Sequence, residues 1–334
     1  MTKLFASLAF ALFCMGAVAQ ADVIELNPDH PERYVVVKGD TLWDITARFL
    51  RDPWIWPKVW KINPQVDNPH LIYPGDVIVL RWTADGPMLM VEGDLGPRIR
   101  ERDLADAIPI IPLNAIQQFL NHAMVLDDPN IAHYAYVLSG TDEHLITGAG
   151  DNVYVRNIDE NITDYNLFRY GGPYIDPDSR EILGYEALHI GSGQLVRRGD
   201  PATLFTSKTN REVMAADILL PRDESPVLPY YTPVAPDIEI DARIIRGIDR
   251  LSQIGTLDIV VLNKGERDGL EINHVLVIDQ KGMRTKDIVT SEWVTLPDER
   301  AGIAMVFRTF ERVSFALVLS STRAIHIGDI ARTP

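Results

Sequence analysis

Cysteine is almost missing. The 334-residue chain has one, Cys14, and it lies in an apolar N-terminal segment that reads as a cleaved leader. Lys3 supplies a positive start, Leu4 to Val18 an apolar run, and Ala17-Val18-Ala19 and Ala19-Gln20-Ala21 two small-x-small cleavage sites. This is the pattern of a secretory signal peptide over residues 1–21. Phe13 stands where a lipoprotein leader needs a small residue, which argues against lipidation. The mature chain then has no thiol, so disulfides and cysteine nucleophiles are excluded and stability must come from packed cores. Long apolar runs are missing too. After residue 21 none approaches the roughly 18 residues of a membrane helix, so no transmembrane segment is expected. Positive charge is scarce: 32 Lys and Arg stand against 47 Asp and Glu, a formal charge of -15. That field does not favour nucleic acid or anionic lipid.

The patterns of metal and hydrolytic chemistry are also lacking. The eight histidines, at 30, 70, 122, 133, 144, 189, 274 and 326, are too far apart for HxH or HExxH. Ser192 stands in IGSGQ rather than GxSxG. Asp176 and Asp178 of YIDPDSRE read as a hairpin tip rather than a glycosidase pair. No catalytic residue, metal or cofactor is expected, and the chain reads as a non-enzyme.

What is present is unevenly spread. Residues 34–82 hold six Lys or Arg against five Asp, and five of the six tryptophans: Trp43, Trp54, Trp56, Trp60 and Trp82. YVVVKGDTLW at 34–43 opens this module and NPHLIYPGDVIVL at 68–80 closes it. Tyr34 to Val37 is β-prone and ends in a Lys-Gly turn. Thr41 and Asp44 have capping-box spacing, with Asp in place of the usual Glu or Gln. Leu42, Ile45 and Phe49 give residues 41–50 a helical apolar face. Pro57 suits the start of a second helix, which Asn63-Pro64 stops. Val77 to Leu80 follow the Pro-Gly-Asp turn as a strand. The order is strand, helix, helix, strand.

YVVVKGDTLWDITARF, IWPKVWKINP and NPHLIYPGDVIVL together resemble a LysM module, a match that runs from Tyr34 to about Trp82. The aromatic insert RDPWIWP at 51–57 is a departure from that family's shorter turn. The resemblance implies binding of N-acetylglucosamine-containing glycan, in bacteria usually peptidoglycan. It also implies a site between two loops: Gly39, Asp40, Thr41 and Leu42 on one side, Asn68, Pro69, His70, Leu71 and Ile72 on the other. Loop N–H and C=O groups can pair with the acetamido group, while Leu and Ile take its methyl. Trp54 and Trp56 are candidates for stacking on sugar rings, whereas Trp43 and Trp60 read as core.

Residues 83–127 form a connector with one helix, marked by Ile116, Phe119 and Leu120. Beyond it short turn-bounded apolar segments recur: 135–140, 153–156, 187–191, 202–205, 258–263, 274–279, 304–310 and 315–320. Their spacing predicts barrels or sandwiches. Gly-Asp precedes an apolar segment at 75–76, 150–151, 199–200 and 328–329. ATLFTSKTNREVMAADILLP at 202–221 is weakly similar to FALVLSSTRAIHIGDIARTP at 315–334. These features predict two β-rich domains, 128–222 and 238–334, joined by a Pro-rich linker at 223–237. The alternative is one continuous β domain with a long loop. The fold class is α+β.

LNKGERDGLEINHVLVID at 262–279 with RVSFALVLSSTRAIHIGDI at 312–330 resembles the C-terminal domain of flagellar-assembly protein T. That domain after a LysM module, with IPIIPLNAIQQFL and GDNVYVRNI between, is similar to the type IV pilus secretin-associated proteins. The resemblance implies a periplasmic, non-enzymatic scaffold that grips peptidoglycan and meets an outer-membrane secretin. The alternatives are a wall adaptor for another envelope machine, such as the flagellar basal body, or a peptidoglycan hydrolase with an unrecognised site.

Overall fold

A computed structural model describes residues 24–60, 72–84, 86–92, 107–112, 124–141, 147–222, 231–248 and 253–334. The expected signal segment, the connector helix, Asn68 to Leu71 and residues 223–230 of the linker lie outside the described residues. Among the described residues no helix is long and apolar enough to cross a membrane.

The first unit is built from β1 (Arg33–Val35), α1 (Leu42–Phe49), a 3-10 turn (Pro53–Ile55), α2 (Trp56–Val59), β2 (Val77–Thr83) and β3 (Gly86–Val91). Its sheet has the antiparallel order β1-β2-β3. The third strand was not expected; Pro87 sits near its start, where a missing N–H is tolerated. The Thr41 hydroxyl accepts the Asp44 N–H at 3.0 Å and donates to the Asp44 carboxylate at 2.7 Å. Asp is one methylene shorter than Glu, so it takes the hydroxyl proton instead of completing a capping box. At the other end of α1 the Asn27 amide donates to Ala47 O and Leu50 O.

Two strand rings follow. The first comprises β4 (Met124–Leu126), β5 (Ala135–Gly140), β6 (Asn152–Arg156), β7 (Asp164–Ile175), β8 (Ile182–Arg197), β9 (Ala202–Thr209) and β10 (Ile218–Pro221). The order is β4-β8-β7-β10-β5-β6-β9, and β9 also pairs with β8, so six of these strands return on themselves. The second is formed by β11 (Asp241–Gly247), β12 (Ile259–Leu262), β13 (Val275–Gln280), β16 (Glu299–Thr309), β17 (Ser314–Ser321) and β18 (Ile330–Arg332). It is a closed barrel, β11-β12-β17-β16-β13-β18. Match β5 with β11 and continue round, and the two rings have the same strand order, with β10 in the place of β18. That is the structural content of the weak repeat between 202–221 and 315–334. A hairpin of β14 (Arg284–Lys286) and β15 (Trp293–Thr295) projects between β13 and β16.

One turn recurs through all three units. Asp40, Asp76, Asp151, Asp217, Asp258 and Asp329 each accept, through a side-chain oxygen, the N–H of the residue three positions earlier. Each also returns its own N–H to that residue's carbonyl. The residue before the Asp has positive φ, from 70° at Ala216 to 101° at Gly39. This is type II turn geometry, which favours glycine at that place. Ala216 and Leu257 adopt it without glycine, so the Gly-Asp motif undercounts the turns. Gly199-Asp200, by contrast, is not one of them: the Asp200 carboxylate instead receives the Arg156 guanidinium through two bonds of 2.9 Å.

The middle stretches of β12, β13, β16 and β17 are apolar on both faces because both faces are covered. Val260, Leu262, Leu276, Ile278, Val306 and Val318 point inward and form the barrel core. Ile259, Val261, Val277, Met305, Phe315 and Leu317 alternate with them and point outward. The outward set belongs to one continuous buried cluster with Leu42, Trp43 and Ile45 of α1 and with Ile108, Ile110 and Ile111. The N-terminal module is therefore packed against the barrel wall.

Candidate glycan-binding groove

The loop after β1 is held by its own aspartate. Asp40 accepts the Val37 N–H at 2.9 Å and the Tyr34 hydroxyl at 3.0 Å, with Gly39 at φ +101° supplying the bend. Burial, then the bond to Asp40, raises the Tyr34 pKa above its ordinary value. The Arg48 guanidinium lies 4.7 Å over the Tyr34 ring. The Asp40 carboxylate is thus committed to the turn. Asp76 does the same for the loop before β2, accepting the Tyr73 N–H at 3.1 Å. The two turns are cross-tied through Val36, whose N–H donates to Asp76 O and whose carbonyl accepts the Gly75 N–H, both at 2.8 Å. This tie fixes the spacing of the two loops.

A cleft of about 920 Å³ opens beside them, lined by Lys38, Gly39, Asp40, Thr41, Asp44 and Tyr73 among others. Three of the expected residues, Gly39, Asp40 and Thr41, therefore face one cavity. Leu42 and Ile72 are different. They are 1% and 2% exposed and belong to the core, so their side chains do not line a surface pocket. Their backbone groups bond to residues 107–112, the Leu42 N–H donating to Pro109 O and the Ile108 N–H to Ile72 O. Asn68, Pro69, His70 and Leu71 lie outside the described residues.

Trp54 and Trp56 correct the stacking expectation. They are 7% and 3% exposed, packed in the same core as Trp43 and Trp60. The 51–57 insert closes the module's core, and the Arg300 guanidinium of the barrel, 5.6 Å over the Trp54 ring, completes its cover. Trp82, at 71% exposure, is the open aromatic of the module. It stands at the outer end of β2.

The far side of the cleft is formed by residues 107–112, with Thr256, Leu257 and Leu319 of the barrel. Sequence reading assigned Ile108 to Ile111 no site role, although two Ile-Pro pairs in six residues mark an extended, poorly helical segment.

Elsewhere, Asp176 is built into the β7–β8 tip and accepts the Ser179 and Asp178 N–H groups. The Ser192 hydroxyl donates to Asn166 Oδ1 at 2.8 Å. Among the described residues no group of three or more His, Cys, Asp or Glu could hold a metal ion.

Comparison with known proteins gives a match to the LysM domain over residues 34–81. A curated relative, the uncharacterized protein YqbP of Bacillus subtilis (strain 168), is 40% identical over 55 residues. That alignment takes in 14% of this chain and 25% of YqbP, so the chain spans about a quarter of the length of the curated relative it matches. The cleft just described lies beside the first loop of this matched segment, and residues 34–81 are a LysM domain, which implies peptidoglycan binding.

Proposed function

We propose that this protein is a non-enzymatic periplasmic scaffold that holds peptidoglycan through its LysM groove and anchors an outer-membrane secretin of the type IV pilus through its β-rich region. The observation that carries the wall-binding half is the LysM match, with Gly39, Asp40 and Thr41 at a cleft beside backbone donors and acceptors. The secretin half is supported by the sequence resemblance of the LysM module followed by the C-terminal β unit. A groove that meets a few sugars binds weakly; about 0.1 mM corresponds to roughly -5.5 kcal/mol. A secretin is a ring of subunits, and one scaffold per subunit turns many weak contacts into firm attachment.

The test is co-sedimentation of the full chain with purified sacculi, followed by affinity capture from envelope extracts. The expected result is pelleting that soluble N-acetylglucosamine oligomers compete away, together with recovery of the secretin. Pelleting without secretin recovery moves the reading to an adaptor for another envelope machine. Solubilisation of the sacculi by the pure protein would overturn the non-enzymatic reading.

A further inference from the structure

The backbone groups that face the LysM groove are already in use. The Ile108 N–H donates to Ile72 O at 2.8 Å, the Leu42 N–H to Pro109 O at 2.9 Å, and the Trp43 N–H to Ile110 O at 2.9 Å. Leu42 and Trp43 are the first residues of α1, so their N–H groups have no acceptor within the helix. The helix dipole also favours an acceptor there. Residues 107–112 thus bring to the groove a donor for Ile72, acceptors for α1, and apolar side chains between them. Ile108, Ile110 and Ile111 are 7%, 4% and 0% exposed.

An acetamido group carries the same chemistry: one N–H donor, one C=O acceptor and a methyl that seeks apolar contact. We infer that residues 107–112 are an internal ligand of the LysM groove, and that strap docking and glycan binding use the same backbone groups and exclude each other. This rests on the reading of residues 34–81 as a glycan-binding module. The strap is tethered to its site, so its effective concentration is high. A glycan competes only for the fraction of molecules whose strap is released, and its apparent affinity falls by that fraction. Ala107, Ile108, Pro109 and Pro112 of the strap also line the cleft, together with Thr256, Leu257 and Leu319 of the barrel.

The experiment uses the full chain and an N-acetylglucosamine hexamer as probe. Ile108→Ser with Ile110→Ser removes the strap's apolar hold and leaves Gly39 to Leu42 intact. Calorimetry is expected to show at least tenfold tighter binding by this variant than by the unaltered chain, about 1.4 kcal/mol. Equal affinities overturn the strap and leave the glycan reading standing. Binding by neither protein overturns the glycan reading, and the strap as its competitor falls with it. A second measurement needs no variant. Hydrogen exchange on the unaltered chain is expected to show a protected Ile108 amide that exchanges at least tenfold faster when the hexamer saturates the groove. An Ile108 amide equally protected in the hexamer-bound protein overturns the inference.

Discussion

Asp40 has two donors on its carboxylate, and that decides what its substitution does. Asp40→Ala leaves the Val37 N–H and the Tyr34 hydroxyl without their acceptor. The first bond is exposed and the second part-buried, so the loss costs about 0.5–1.5 kcal/mol. The expected outcome is a lower urea midpoint at an unchanged slope, the sign of a native state weakened without a change in compactness. The Tyr34 titration should also move down, because the bond to Asp40 is one of the causes that raise it. An unchanged midpoint would show that the turn holds without its aspartate. Ile72→Ala is a different experiment: the side chain is buried, so its truncation reports on core packing rather than on sugar contact.

At the scale of elements, the β7–β8 hairpin shows how a polar tip becomes structural. Asp176 N donates to Glu181 O at 2.9 Å, and the Asn263 amide of the barrel donates to the Asp176 carboxylate at 3.0 Å. The Arg267 guanidinium grips Glu181 through two bonds of 2.8 and 2.9 Å. Burial acts to raise the Asp176 pKa, but the Ser179 and Asp178 N–H groups and the Asn263 amide together hold it below its ordinary 3.8. A carboxyl depressed in the folded state contributes stability that is present above the unfolded value and lost as pH falls through the folded one. The stability gap between the unaltered chain and Asp176→Asn should therefore be constant near neutral pH. It should close as the pH drops below about 4. Denaturant titrations across pH 2–7 measure it, and a gap independent of pH would remove Asp176 from the acid response.

The whole molecule is joined by a partly buried ion pair and an apolar wall. Arg246 of the barrel pairs with Glu186 of the first ring, and its guanidinium lies 4.9 Å over the Tyr174 ring. Glu186 is 6% exposed, so Arg246→Ala strands a buried carboxylate between the units. Breaking such a pair costs roughly 3 kcal/mol. The expected outcome in calorimetry is a lower, broadened transition that separates the first ring from the barrel. A single sharp transition at the original temperature would show that the apolar contacts suffice. The same packing ties the N-terminal module to the rest of the chain. A cut after residue 82 removes β3 from the module's sheet, and separates α1 from Ile108, Ile110 and the barrel wall.

The local rules of the chain were open to reading because their causes are local. Thr41 at a helix start, Gly39 and Gly75 in turns, and the apolar runs of β12, β13, β16 and β17 identify themselves by residue type and spacing. So does the LysM motif, whose loops depend on turn chemistry within a few residues. β7 was not legible: Asp164, Asn166, Arg169 and Gly171-Gly172-Pro173 are poor strand formers, and its length comes from pairing with β8. Ala216 and Leu257 hid two Asp turns, since tertiary hydrogen bonds from neighbouring strands hold a positive φ that their sequence does not favour. Whether Trp54 and Trp56 face water or core depended on the barrel's Arg300 and on packing that no short window contains. The occupant of the groove is of this kind too. Residues 107–112 stand far from both Leu42 and Ile72 in the chain, and only the fold brings the amide groups of all three together.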